Sequence, residues 1–580
     1  MEAVLSFNDL KKNLKKNVST FTKIKIGLCG DSTTSFLSMA IKGMGVERKY
    51  NMELLETEYN QLERQLLFTD SELHAFNADV IIVFQATHKL LQQYNCLSPD
   101  KQALLADERL EFIRSISHSC TSKLIYFNYP EIDDTVFGNY ANKIEHSFVL
   151  QVRKLNYELM KLAQQTPNLY ICDVSSIQNM VGRSSLYNSS LYISADMVFS
   201  LDILPQIAAS VLDIIDAVCG KFKKCVILDL DNTLWGGVIG DDGLENIELG
   251  QGLGIGKAFT EFQRWIKQLK NRGIILAVCS KNDEVTAKEP FEKHPEMVLS
   301  LDDIAVFIAN WDNKVNNIYK IQSILNISFD SMVFIDDNAV ERNMVRENIP
   351  EITVPELPDD PAEYLEYLYS LHLFETSSYS SEDMKRTKQY QIESQRILLQ
   401  KKFNNEVDFL KELDMTSEVS IFNPYNIPRV AQLSQRSNQF NLRTVRFTED
   451  EINALSKNEH YQNFCFNLTD KYGDYGLIAV IILEKQNSDT LFIHSWFMSC
   501  RVLQRGMENF ALNILVQYAR QHHYTKIMGE YIPTAKNKLV EHHYQQLGFT
   551  AIKDETRKQY MLDVNTYSER ECYIKEIKNY

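Results

Sequence analysis

Short apolar runs, each closing on a polar or glycine-containing turn, recur along the first third of the chain: KIKIGLCG, DVIIVFQ, KLIYFNY and LYICDV. Between them lie longer stretches in which apolar residues return every three or four positions. Runs of this kind read as buried parallel strands, and the stretches between them as the helices that cover the sheet. The pattern predicts a doubly wound α/β layout to about residue 215. A second series opens at CVILDLD and continues through ILAVCSKND, AVFIAN and MVFIDDN, with the helical stretch KAFTEFQRWIKQLKNRG inside it. This predicts a second, separate α/β domain.

After EITVPELPDDPAEYLEYL the pattern becomes a charged helix, EDMKRTKQYQIESQRILLQKKF, whose polarity predicts a solvated connector. From about residue 415 strands dominate, in LIAVIILEK and TLFIHSWFMSC, before the helix RVLQRGMENFALNILVQYARQHH and a last αβ portion. The expected organisation is two Rossmann-like α/β domains over 1–217 and 218–375, a helical connector over 376–412 and an α+β domain over 413–580. A chain of 580 residues is long enough for such a division, since one core rarely extends much beyond roughly 250 residues.

Composition narrows the classes of function. With 61 basic against 77 acidic residues the net charge is −16, which argues against a general binder of nucleic-acid backbone. The ten cysteines are scattered and form no C-x-x-C pair, so neither a zinc site nor a disulfide framework is expected. The opening MEAVLSFNDLKKNLKKN mixes lysines through its apolar positions, and nowhere do 18 apolar residues run together. A cytoplasmic protein with no membrane and no nucleic-acid partner is the expectation.

The candidate chemistry sits where the second series of strands ends. Asp229 and Asp231 lie two residues apart as VILDLD emerges into the glycine-containing turn WGGVIGDDG. One carboxylate can attack phosphorus to form an aspartyl phosphate, while a second, protonated, serves the leaving oxygen and later activates water. Charges so placed beside a phosphate need a cation, and Mg²⁺ favours a few carboxylate oxygens. Asp336 and Asp337, at the end of MVFIDDN, supply further ligands. Ser280 in AVCSKND and Lys314 in NWDNKVNNI offer a hydroxyl and a fixed cation for the phosphoryl oxygens.

DLDNT, the serine ending AVCS, Lys314 and IDD, in that order, resemble the four motifs of the haloacid dehalogenase superfamily. The resemblance implies Asp229 as nucleophile, Asp231 as acid/base, Ser280 and Lys314 as the phosphate clamp, and Asp336 as a magnesium ligand supported by Asp337, with Asp229 and Asp231 beside the same ion. About 50 residues separate the first two motifs, which leaves little chain for a cap and predicts an open site. LDLDNTLWGGVIGDDG, CSKND, the NW…K stretch and FIDDNAVER more closely resemble the FkbH-like branch of that superfamily. That branch implies an acyl phosphate of glycerate as substrate and transfer of the glyceryl unit to an acyl carrier protein. It also implies a nucleophilic thiol, for which Cys279 is the candidate, its pKa expected to be lowered by Lys314 and the metal. The alternative for Cys279 is a buried strand cysteine.

Two further resemblances flank the centre. GLCGDSTTS, with Ser32 after the first strand, resembles the opening block of the SGNH/GDSL hydrolases. Their serine needs a histidine from a late D-x-x-H, yet here Asp196 is followed by Phe199, and Gln85, Thr87 and His88 stand where the oxyanion-hole asparagine is expected. The implied domain keeps the fold and not the hydrolysis. SCRVLQRGMENFALNIL and AKNKLVEHHYQQLGF resemble the GNAT acyltransferases, which implies acetyl-CoA or another acyl-CoA at Arg501, Arg505 and Gly506, with Asn537 and Tyr544 in the later motif and Tyr544 protonating the leaving thiolate. Gln504 replaces a glycine common in that loop. Three functions stay open from sequence: a Mg²⁺-dependent phosphatase or phosphotransferase acting on a phosphorylated small molecule or acyl phosphate, a GNAT-type N-acyltransferase for which the central site prepares substrate, and a carrier-protein-binding scaffold.

Overall fold

A computed structural model describes residues 5–379, 383, 386–400, 403, 405–499, 502–503, 505–534, 536–552 and 558–577. The chain separates into two compact units, Met1–Val218 and Cys219–Tyr580.

The first unit is built on five parallel strands, β1 (Thr22–Gly30), β2 (Tyr50–Glu56), β3 (Val80–Phe84), β4 (Lys123–Phe127) and β5 (Leu169–Cys172), in the order β2-β1-β3-β4-β5. Four of them fall on the apolar runs. The edge strand β2, YNMELLE, does not read as one, because its residues are mostly half-exposed and its glutamates interrupt the apolar run. Every residue of β3 is buried, as expected of a strand covered by helices on both faces.

In the second unit β6 (Cys225–Leu228), β7 (Ile275–Ser280), β8 (Ile304–Ala309) and β9 (Met332–Ile335) form a four-stranded parallel sheet in the order β8-β7-β6-β9. Each strand is followed by polar chain at its carboxyl end, so the four ends share one edge. The segment after β6 turns back on itself: Gly236 and Glu248 exchange backbone hydrogen bonds of 3.0 and 2.8 Å, and Ile239–Asp242 makes one helical turn between them.

Eight further strands make a mixed sheet: β10 (Met415–Ser420), β11 (Tyr461–Asp470), β12 (Gly473–Lys485), β13 (Thr490–Met498), β14 (Lys526–Tyr531), β15 (Thr550–Ile552), β16 (Lys558–Asp563) and β17 (Ile574–Ile577). Their order is β15-β16-β14-β13-β12-β11-β10-β17. β13 and β14 run parallel and are paired only from Thr490 to Ile493 and from Lys526 to Gly529. Beyond that point the strands part. Phe440, Asn441 and Leu442 enter the gap: Leu442 N donates to Trp496 O at 3.1 Å, and Ile532 N donates to Leu442 O at 2.9 Å.

The connector is solvated only in part. The helix Arg386–Gln400 packs on β7, β8 and the helix Lys314–Leu325 on one side and on β12 on the other. Tyr390 enters the apolar cluster around Ile318 and Phe334, and Gln391 Nε2 donates to Asp302 O (3.1 Å) and Ile304 O (3.0 Å). Arg396 is buried against Glu393 (2.5 Å) and Asp470 (2.8 Å). Gln391 and Arg396, two of the polar residues that made this stretch look exposed, find partners distant in sequence, which lets them leave water.

Candidate active site

Strand register gathers the carboxylates. Leu228 of β6 lies opposite Ile335 of β9, so the next residues, Asp229 and Asp336, leave the sheet side by side, and Asp229 N donates to Ile335 O at 3.0 Å. Lys314 opens the helix Lys314–Leu325, whose Asn313 cap accepts from Val315 N at 2.7 Å. Its Nζ bridges the two carboxylates, at 2.9 Å from Asp229 Oδ2 and 2.6 Å from Asp336 Oδ2. Asp337 completes the group: carboxylate oxygens of Asp229, Asp336 and Asp337 all lie within 4.8 Å of one another. The turn after β9 is fixed by Asn338 N donating to Asp336 Oδ1 (2.8 Å) and by Arg342 Nη1 donating to the carbonyls of Asp336 (2.8 Å) and Asp337 (2.6 Å).

The charges do not balance. Three carboxylates face one ammonium, largely out of water. Burial, and next the Asp229 charge, push the Asp336 carboxyl up to about 7 against the pull of Lys314. Burial and Asp229 likewise raise Asp337. For Lys314 burial works the other way, yet Asp229 and Asp336 hold its pKa above the ordinary value. An oxygen-only set with surplus negative charge fits a hard divalent cation such as Mg²⁺, with Asp229, Asp336 and Asp337 as the residues that would hold it.

Asp231 lies outside this cluster, contrary to the expectation that its carboxylate joins the metal set. Its Oδ1 accepts from Trp235 Nε1 and Ile239 N, both at 3.0 Å, and its Oδ2 accepts from Asn282 Nδ2 at 3.1 Å. Burial raises its pKa. Asn282, Trp235, Thr233 and Arg342 are positioning residues that sequence reasoning left without a role; Thr233 Oγ1 lies 3.2 Å from Asp337 Oδ1. Three of them sit inside the motif stretches DNTLWGG and CSKND, which was the available signal. Ser280, buried, closes β7 two residues beyond Val278, the partner of Leu228.

Cys279 is a correction. Successive β7 side chains alternate between two cores, and Cys279 falls with Ile275 and Ala277 in the cluster around Ile318 and Phe334. It is 0% exposed, its Sγ faces Lys314 O at 3.8 Å, and burial pushes the thiol up to about 12, the reverse of the lowering expected near a lysine. A thiol so held is a packed strand residue.

The flanking candidates are committed to the fold. In the first unit Ser32 is fully buried and its Oγ has no hydrogen-bond partner. Asp196 pairs with Lys89 at 2.7 Å, and the Phe199 ring packs 4.8 Å from Phe84. Burial, then Arg183, pull His88 down to about 4. In the second unit Arg501 lies outside the described residues, and Arg505 is buried against Glu393 and 3.9 Å from Asp470. Gly506, at φ +79°, caps the helix Met507–Gln521, whose first turn carries the anion Glu508. Asn537 donates to Asn441 O (3.0 Å) and Ile532 O (2.9 Å), tying down the segment in the β13–β14 gap. Tyr544 is buried, stacks 5.3 Å from Tyr560, and has its phenol held protonated by burial.

The crystal structure of the N-terminal part of BF1531 from Bacteroides fragilis, containing a phosphatase domain complexed with Mg, is 57% identical over 64% of this chain and 100% of its own, with a TM-score of 0.63. The family described as FkbH, N-terminal domain, matches residues 25–216. The chain belongs to the FkbH-like family. No curated protein matches it. Two acetyltransferase structures overlap this FkbH-like chain in part. The Escherichia coli ribosomal-protein-S18-alanine N-acetyltransferase is 16% identical over 27% of this chain and 99% of its own, TM-score 0.21. A Vibrio cholerae spermidine N-acetyltransferase is 13% identical over 26% and 95%, TM-score 0.21. Likenesses that slight carry no argument. Among the described residues no helix is long and apolar enough to cross a membrane.

Proposed function

We propose that this FkbH-like chain is a Mg²⁺-dependent phosphatase of the haloacid dehalogenase type. The observation that carries the reading is the meeting of Asp229, Asp336 and Asp337 within 4.8 Å at the ends of neighbouring parallel strands; Lys314 bridges Asp229 and Asp336. An Asp229 oxygen attacks phosphorus and forms an acyl–phosphate bond as the bond from phosphorus to the leaving oxygen breaks. Asp231, poised on Trp235, Ile239 and Asn282, gives its proton to that oxygen. It then takes a proton from the water that attacks phosphorus, so phosphate departs and Asp229 is restored. Lys314 and Ser280 hold the phosphoryl oxygens. Mg²⁺, held by Asp229, Asp336 and Asp337, supplies charge neutralisation for the gathering phosphoryl oxygens.

The substrate we propose is a phosphorylated small molecule or an acyl phosphate. With the latter, attack at phosphorus would release only the free acid, so transfer takes a different course: a carrier protein's own thiol, Cys279 being sealed, attacks the acyl carbon, a C–S bond forms as the C–O bond breaks, and phosphate leaves. We assign the flanking parts as SGNH-like (1–217) and, after the connector, GNAT-like (413–580), with the phosphatase over 218–375. A screen of the purified chain against phosphorylated metabolites tests the reading. Phosphate release that needs Mg²⁺ and vanishes in Asp229→Asn supports it; release indifferent to both overturns it.

A second reading, that the GNAT-like part takes an acyl-CoA, is favoured by a cavity of about 660 Å³ at the start of the helix Met507–Gln521, with Leu503, Asn509, Leu539 and Gln546 in its lining. Titration with acetyl-CoA tests it, and Asp229→Asn should leave that binding intact.

A further inference from the structure

A second charged pocket lies far from the carboxylates. Lys224, Arg386, Arg429, Arg436 and Ser437 line a cavity of about 70 Å³, space for several waters or one small polyatomic ion. Lys224 stands before β6 and Asp229 after it, so the two sites lie at opposite ends of one strand, roughly 16 Å apart at 3.3 Å per residue. None of the cavity's residues belongs to the proposed phosphatase machinery.

The lining comes from five stretches of the chain, and its cations are held in place. Arg436 binds Asp383 through Nη1 and Ser378 O through Nη2 (2.9 Å), and it lies 5.8 Å from the Phe222 ring. Arg386 Nε lies 3.0 Å from Asp383, and Lys224 Nζ donates to Arg436 O at 3.1 Å. Among the described residues Asp383 is the carboxylate to which these contacts lead. Burial first, and then repulsion from Arg386, pull the Arg436 guanidinium down to about 9.

Donors also remain over. Ser437 is 6% exposed and its Oγ has no hydrogen-bond partner; the buried Arg436 Nε has none either. Buried polar groups are nearly always satisfied, so an orphan hydroxyl beside an orphan guanidinium N–H, both on a cavity ringed by cations, points to a missing acceptor. The cavity lies at the carboxyl end of the helix Ile427–Arg436, where the helix dipole favours the cations and not the anion. Any hold on an anion therefore comes from the side chains. Guanidinium, ammonium and hydroxyl donors converging from several sides suit a tetrahedral oxyanion better than a planar carboxylate.

We propose that this cavity is a binding site for a phosphate group, distinct from the carboxylate site, with Arg436, Arg429, Lys224 and Ser437 as its donors. The group arrives either as free phosphate or at the end of a larger phosphoric ester. The full-length protein in EDTA, which silences the metal-dependent site, is titrated by calorimetry with inorganic phosphate and, separately, with phenyl phosphate, against chloride at matched ionic strength. One saturable site is expected. Ser437→Ala should weaken it at least five-fold and Arg429→Gln at least ten-fold, while Asp336→Asn changes it less than two-fold. Tighter binding of phenyl phosphate assigns the site to an ester, and binding of inorganic phosphate alone assigns it to the free ion; either supports the proposal. Should Arg429→Gln fail to fold, Lys224→Met serves with the same expected loss. No binding beyond the chloride control overturns the proposal, as does binding that survives the cavity variants or disappears in Asp336→Asn.

Discussion

Two corners of this protein look catalytic in sequence, and both lie just beyond parallel strands. Around Asp229 three carboxylates meet a single lysine and the excess charge is left standing. Around Ser32 the expected catalytic partners are engaged or missing: Asp196 is bound to Lys89, an aromatic ring stands where a histidine would, and the hydroxyl is sealed from solvent. A strand end is only a place to put chemistry. What distinguishes a working site is charge that the fold itself does not neutralise, because that charge is what a metal ion and a phosphoryl group come to balance.

The largest effect should come from the nucleophile. Asp229→Asn keeps the shape and removes the attacking oxygen's charge, and it should lower Mg²⁺-dependent phosphate release by about 1,000-fold or more, a loss in the range seen when a covalent nucleophile is removed. The thermal midpoint should hold or rise, because one of three crowded carboxylates loses its charge. A fall in activity matched by unfolding would erase the contrast between the two corners.

Lys314→Met sharpens the comparison through stability. Taking the cation from a buried pair leaves Asp229 and Asp336 facing each other, a change that typically costs about 3–5 kcal/mol. Urea unfolding in EDTA should show the loss, and saturating Mg²⁺ should restore part of it, since a ligand held at 100 times its Kd contributes about 2.7 kcal/mol. A variant as stable as the parent in EDTA would mean the carboxylates are already neutralised without the lysine.

These effects depend on residues whose meeting is legible in the sequence. Asp229 and Asp336 close apolar runs, and a run that must be buried on both faces fixes where its strand ends, so the carboxylates had to emerge at one edge. Lys314 is legible as part of an ordered motif set. The direction in which Asp231 faces is not, because it is decided by Trp235, Ile239 and Asn282, and the last of these lies 51 residues away. Nor is the face taken by Cys279, since alternation along β7 tells two faces apart without saying which one meets the lysine. The connector misleads for the opposite reason: Arg396 reads as a surface charge until Asp470 is seen beneath it.

The sealed corner makes a pH prediction. Burial holds His88 near a pKa of about 4, whereas in the unfolded chain it titrates near its ordinary value of 6.5. Below 6.5 the unfolded state therefore binds a proton that the folded state refuses, and stability falls as pH drops from about 6.5 to about 4. The total is at most a few kcal/mol, since each tenfold change in proton affinity is worth about 1.4 kcal/mol. His88→Gln should flatten this part of the profile, measured by urea unfolding of the full chain at a series of pH values. An unchanged slope would show that the imidazole is reached by water and that the corner is less closed than its packing indicates.

The smallest effect is the one that bears most directly on the contrast. If Ser32 were a nucleophile, Ser32→Ala would abolish an activity and leave stability nearly unchanged. Here its Oγ is buried with no hydrogen-bond partner, and a hydroxyl in that state costs the fold more than a methyl would. Ser32→Ala should therefore raise stability by about 1 kcal/mol, the order of the desolvation cost of one unsatisfied polar group, and leave phosphate release untouched. Destabilisation on the same scale would show that the hydroxyl has a partner in solution, such as an ordered water, and the first unit would then keep a polar pocket where this structure packs one shut.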